Sequence, residues 1–92
     1  MKFESDPEKA ASNLKDHGVS FEDATLVFYD TERIETYDGR EDYGEDRWVT
    51  IGFAWATLMT VAYTIRDGET IRLISARKAT PYEQKQYRDA NP

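Results

Sequence analysis

Three runs rich in β-branched and aromatic residues, at positions 47–53, 58–65 and 70–76, fill the middle of this 92-residue chain, and Asp67-Gly68 stands between the last two. An Asp-Gly pair between apolar runs is a strong signal for a two-residue hairpin, because the favoured turn needs positive φ at both central positions. The pattern commits the middle of the chain to an antiparallel sheet. The run at 58–65 is the most apolar, which predicts a central strand. A short strand is also expected near residues 33–37, giving three to four strands in all.

Helix signals flank the sheet. Asp6-Pro7 marks a start: the carboxylate can accept from exposed first-turn amides, and proline is pre-set for the first helical position. Gly18 is the matching stop, and Ala10 and Leu14, with Ala11 beside them, give that helix a packing side. Ser20 with Asp23 opens a second helix to about Phe28, with Phe21, Ala24 and Phe28 as its buried stripe. Thr80, Pro81 and Glu83 cap a last helix through about Arg88. The expected fold is a small single α+β domain over residues 1–92, with two N-terminal helices and a C-terminal helix packed on one face of an antiparallel sheet. A chain of this length buries about 60–65% of its extended surface, enough for one modest core.

The turn also sets a register. Two loop residues place Arg66 opposite Glu69, Ile65 opposite Thr70 and Tyr63 opposite Arg72, while a loop at 54–57 with Phe53 opposite Leu58 places Trp48 opposite Tyr63. Side chains opposite one another share a face. Trp48, Tyr63 and Arg72 are therefore expected in one row on an open face, with Val49, Ile51, Ala62, Ile71 and Leu73 toward the first two helices.

Charge is unevenly spread. The net charge is −6, but residues 1–46 hold five bases against fourteen acids, and residues 47–92 hold seven bases against four acids. An acidic chain is a poor match for nucleic acid as a whole. The basic second half can still admit RNA locally, and the acidic first half suits a basic partner. The run at residues 41–46 is expected to stay solvated. Without cysteine there are no disulfides and no thiolate metal sites, and no apolar stretch approaches the ~20 residues of a membrane span, so a soluble cytoplasmic protein is expected.

Few residues can carry chemistry. His17 is the sole histidine and the one side chain that titrates near neutrality without special tuning. It follows Lys9 and Asn13 at a spacing of four, and in a last helical turn it would also offset the helix dipole. Arg72 and Arg77 carry planar forks that match phosphate oxygens in pairs, and Lys78 adds charge beside them; a salt bridge is the alternative role for Arg77. Trp48 and Tyr63 offer flat surfaces for a base, or belong to the core. One histidine and no cysteine cannot form the usual zinc site. Residues 41–46 lack the ligand spacing of a calcium loop, and neither a phosphate-binding glycine loop nor a Gly-x-Ser-x-Gly elbow occurs, so no metal or cofactor is expected.

The segments DPEKAASNLKDHGVSFEDATLVF (6–28) and ETIRLISARKATPYEQKQY (69–87) set a helix, a lone histidine, a second helix, an arginine-bearing strand and a capped final helix in one order. This order resembles the BrnT family of bacterial toxins, most specifically in FEDATLVFYD and IRLISARKAT. The resemblance implies a fold similar to RelE toxins and a metal-independent endoribonuclease that blocks translation. It also implies neutralisation by a BrnA-type antitoxin, a toxin dimer within a hetero-oligomer, and contact with DNA only through the antitoxin. With RNA as substrate, His17, Arg72 and Arg77 are assigned to catalysis and Lys9, Trp48, Tyr63 and Lys78 to substrate binding. A second reading, a BrnT-like binding module without catalysis, rests on the acidic charge and on Ser5, which stands where the family commonly carries Trp.

Overall fold

The turn after the central strand is one residue longer than its sequence signal predicts, and that difference resets the sheet. In the computed structural model, which describes residues 1–39 and 44–92, strands β4 (Thr57–Arg66) and β5 (Thr70–Lys78) are joined by Asp67, Gly68 and Glu69. Asp67 and Gly68 take the expected positive φ, 53° and 77°, and the Glu69 N–H closes the turn on the Arg66 carbonyl at 3.2 Å. Arg66 consequently pairs with Thr70, Thr64 with Arg72 and Tyr63 with Leu73. The expected pairing of Tyr63 with Arg72 is wrong by one residue.

A bulge then adds a second shift. Between Ala62 and Tyr63 the register slips, so Ala62 faces Ser75 while Tyr63 faces Leu73, leaving Ile74 as the extra residue. The pairing of β4 with β3 (Arg47–Ala54) is regular and as expected, Phe53 opposite Leu58 and Trp48 opposite Tyr63. Its loop is tighter than the four residues expected, only Trp55 and Ala56.

The sheet holds five strands in the order β1-β5-β4-β3-β2, not three to four. Strand β2 (Ile34–Asp38) is the short strand expected near residues 33–37, and pairs antiparallel with β3. The unforeseen strand is β1 (Lys2–Glu4), which pairs parallel with β5 and makes the sheet mixed. Three residues are too few to show a period of two. Phe3 fixes the strand by packing its ring 5.4 Å from that of Phe28. The acidic run expected to be solvated at residues 41–46 lies partly outside the described residues; Gly44, Glu45 and Asp46 are exposed.

Helix boundaries follow their local chemistry. Helix α1 (Pro7–His17) starts where Asp6 accepts from the Glu8 N–H at 2.9 Å and ends at Gly18 with φ 67°. Helix α2 (Phe21–Ala24) begins at Ser20, whose hydroxyl accepts from the Asp23 N–H, and tightens into a 3-10 turn over Thr25–Tyr29. Phe21, Ala24 and Phe28 are buried as expected. Helix α3 (Pro81–Ala90) opens with a complete capping box between Thr80 and Glu83.

The helices do not share one face. The cluster with α1 and α2 contains Met59, Val61, Tyr63, Leu73 and Ala76, with Trp48 and Ile71 packed against it. A separate cluster joins α3, through Tyr87, to Ile51 and Ala79, with Ile34 and Leu58 beside them. Of the residues expected toward the first two helices, Ile71 and Leu73 are there. Ile51 lies on the α3 side, and alternation puts Val49 and Ala62 on that side with it.

The seam between α1 and the sheet is polar. Leu14, expected to pack, is 54% exposed, and the buried residue of this helix is Asn13. Its amide donates to the Val19 carbonyl (2.9 Å) and the Ala76 carbonyl (2.8 Å), and its oxygen accepts from the Ala76 N–H (2.9 Å). The side chain thus pairs with β5 as a strand would, beyond the stretch that β1 covers. Asn13→Ala strands these backbone groups without partners, and we expect a loss of about 2–4 kcal/mol in denaturant unfolding. Asn13→Asp should not rescue it, because a carboxylate would face two carbonyl oxygens.

Candidate functional site

An arginine at the end of β5 and a glutamate in the first turn of α3 form a partly buried bidentate pair. Arg77 lies opposite Thr60, on the sheet face that α3 partly covers. Two residues, Ala79 and Thr80, separate the strand from the helix, so the third helical residue, Glu83, turns back toward Arg77. The fork is bidentate: Nη1 donates to Oε1 at 2.7 Å and Nη2 to Oε2 at 2.9 Å. Glu83 Oε1 also accepts from the Thr80 N–H at 2.8 Å, so one carboxylate both caps the helix and holds the arginine.

Burial alone would raise the Glu83 carboxyl. The bonds from Arg77 and from the Thr80 N–H outweigh it and hold the group at about 2, against an ordinary 4.5. The bond to Glu83 likewise raises Arg77, against the opposing effect of burial. The buried Thr60 hydroxyl lies close enough to add to the field at Glu83, but it closes no hydrogen bond of proper geometry. Glu83 is thus a fixed carboxylate at any physiological pH, and the Arg77 side chain remains 41% exposed.

This pair borders an open pocket of about 390 Å³ between α3 and strands β2 and β3. Ile34, Val49 and Ile51 form its apolar wall, and Thr36, Asp38 and Gln86 supply polar groups. The pocket can bind one phosphate or carboxylate at Arg77, provided that the ligand displaces Glu83 from the fork.

A second groove, of about 520 Å³, lies between the β3–β4 hairpin and the far side of α3, with Phe53, Leu58 and Tyr87 in its lining and Lys78 and Arg88 at its rim. Its base is fixed by Asp30, whose Oδ2 accepts from the Phe53 N–H (2.9 Å) and the Tyr87 hydroxyl (2.7 Å). This approach requires Gly52: a Cβ there would sit 2.9 Å from Arg33 Cβ and 3.0 Å from Val27 Cγ1. Burial, then the neighbouring Asp30, pushes the Tyr87 hydroxyl up to about 12, so it stays a donor.

The residues singled out by sequence separate into two groups. Arg77 and Arg72 stand on the same face, opposite Thr60 and Thr64 of β4 and so about 13 Å apart at the usual rise per residue. Arg72 contacts Glu4 at 3.3 Å, and Arg66 reaches the same oxygen at 3.7 Å. Lys78 follows Arg77 and is exposed. His17 and Lys9 are exposed on α1, which packs on the opposite side of the sheet. Trp48 and Tyr63 also face that side, and Tyr63 is 2% exposed, its ring 4.9 Å from that of Phe28 and its hydroxyl bonded to Glu35. The expected row of Trp48, Tyr63 and Arg72 therefore does not exist. Glu83 was legible only as a helix cap; the signal for its second role is an arginine at a strand end followed by a two-residue link into a capped helix.

Among the described residues no three His, Cys, Asp or Glu side chains are placed to hold a metal ion, and no helix is long and apolar enough to cross a membrane. Fold and pocket together define a small α+β domain, three helices on a five-stranded mixed sheet, whose polar pocket is built on a paired arginine and carboxylate. The chain belongs to the family described as the ribonuclease toxin, BrnT, of type II toxin-antitoxin systems, whose model matches residues 6–83. The 1.1 Å crystal structure of the Brucella abortus ribonuclease toxin BrnT shares the fold with a TM-score of 0.65 and 23% identity, over 87% of this chain and 97% of that one. No curated protein matches the sequence significantly.

The depressed carboxyl makes a signed prediction. Glu83 contributes stability that is fully present above about pH 4.5 and lost as pH falls toward about 2. The stability difference between the wild type and Glu83→Gln, followed by denaturant unfolding from pH 7 down to pH 2, should be constant at first and then shrink through that window.

Proposed function

We propose that the chain is a metal-independent endoribonuclease that cleaves RNA at the Arg77–Glu83 pocket and so blocks translation. The reading rests on one observation: a half-exposed guanidinium with both outer nitrogens aligned on a carboxylate, at the border of an open pocket. The geometry that holds a carboxylate bidentately also fits two phosphate oxygens. A scissile phosphate entering the pocket takes the fork from Glu83. Released from its strongest partner, the carboxylate becomes more basic and accepts the proton of the attacking 2′-hydroxyl, while Arg77 holds the charge that grows on the phosphate oxygens. The departing 5′-oxygen takes its proton from water in the open pocket. Arg72 adds charge further along the same face, and His17, on the far side, draws no support from geometry for a part in this step.

The family supplies the setting. A BrnA-type antitoxin is the neutralising partner, and the excess of acids in residues 1–46 favours a partner with a basic surface. Two toxin copies within a hetero-oligomer, DNA contact through the antitoxin alone and a cytoplasmic location follow the same family reading. A binding module without catalysis is the second reading. It is favoured by the engagement of Arg77, the one arginine among the described lining residues, with Glu83.

Expression alone should arrest growth with loss of RNA, and co-expression with the antitoxin should reverse it. Purified protein should cleave RNA undiminished in chelator, and Arg77→Ala should lower the rate by on the order of 10²-fold or more. Arg77→Lys, which keeps the charge and loses the fork, controls for folding and should also be impaired. Antitoxin binding with no RNA cleavage by the wild type contradicts the nuclease and leaves the binding module.

A further inference from the structure

We infer that the groove between the β3–β4 hairpin and the far side of α3 is a second RNA-contact site, which takes an unpaired nucleotide flanking the one cut at Arg77. The inference rests on the nuclease reading for its substrate, and on the groove's own chemistry for its place. The Arg77 pocket is a weak anchor for a polyanion. Among the described residues that line it the one arginine, Arg77, is already engaged by Glu83. An acidic protein that grips RNA there needs cationic contacts elsewhere.

The groove supplies them. Lys78 and Arg88 line it, both are exposed, and neither makes an ion pair among the described residues, although most of the chain's other arginines do. No carboxylate is among the described residues that line it. The same lining holds aromatic rings: Phe53 is 42% exposed and stands edge-on against Tyr87 with ring centroids 5.4 Å apart. Asp30 ties the Phe53 backbone N–H to the hydroxyl of Tyr87, the ring against which Phe53 rests. An exposed ring in one groove with two cations that make no ion pair among the described residues is the combination that binds a single-stranded base and its phosphates without reading sequence. Lys78 pairs with Met59, on the side of the sheet opposite Arg77, and lines the groove from the end of the strand.

The test is fluorescence anisotropy of a 2′-O-methyl hexanucleotide, which cannot be cleaved, on the full chain across a salt series. Lys78→Ala combined with Arg88→Ala should weaken binding roughly tenfold or more at low salt and flatten the slope of log affinity against log salt by about 1.4, two single-strand contacts' worth. Phe53→Ala should weaken binding with the slope unchanged, and Phe53→Tyr should restore it, separating stacking from a folding defect. Unchanged affinity and slope in the double variant overturn the proposal. So does tight binding of an acidic peptide of equal charge with the same dependence and no RNA binding, which assigns the groove to a protein segment. Cleavage of an unmodified oligonucleotide by the wild type is scored separately: groove-dependent binding without cleavage refutes the nuclease and leaves the groove, and cleavage with groove-independent binding does the reverse.

Discussion

One extra residue in β5 decides what this protein presents to solvent. In a regular strand Arg72 and Arg77, five positions apart, would point to opposite faces. The bulge at Ile74 brings them to the same face with Ser75, while Leu73 and Ala76 both reach the core under α1 and α2. A slip of one residue would bury a guanidinium among Phe28, Val61 and Tyr63, or expose the apolar set. The Asn13 amide closes on both backbone groups of Ala76, two residues past the bulge. The irregular stretch of β5 is therefore held from the side where no strand covers it.

Electrostatics on the exposed face follows from that placement. In a chain of net charge −6 each arginine of β4 and β5 meets a carboxylate: Arg72 and Arg66 share Glu4, and Arg77 takes Glu83. The Arg77–Glu83 pair differs from the others in being bidentate, partly buried and joined to a helix cap. It is an ion pair that, on the proposed reading, a phosphate enters only by exchange. Such a site discriminates: a ligand must offer two acceptor oxygens in the carboxylate's geometry, and an ion with a single acceptor gains nothing from displacing it.

What the sequence made legible was local. Asp6-Pro7, Gly18, Ser20 and Thr80-Pro81-Glu83 set their helix ends through contacts within a few residues, and each helix starts where its cap chemistry requires. Strand identities were legible from β-branched runs, and the β3–β4 pairing from its short link. The β4–β5 register was not, because an Asp-Gly pair reads the same in a two-residue and a three-residue turn, and a bulge at Ile74 leaves no mark in an apolar run. Strand β1 is too short to show alternation. The two-sided placement of helices escaped notice because Ile51 and Leu58 look alike whether α2 or α3 covers them. The site was half legible: Arg77 stood out by its chemistry, whereas Glu83 had a sufficient explanation as a cap.

The central claim is that Arg77 exchanges the Glu83 carboxylate for a scissile phosphate. The measurement that meets it most directly is a crystal structure of the chain with a short RNA blocked by a 2′-O-methyl group at the point of attack. The account predicts a phosphate bridging both outer nitrogens of Arg77, with Glu83 detached from the fork and turned toward the blocked 2′-oxygen. An intact Arg77–Glu83 fork at saturating RNA, with the phosphate bound elsewhere, would contradict it.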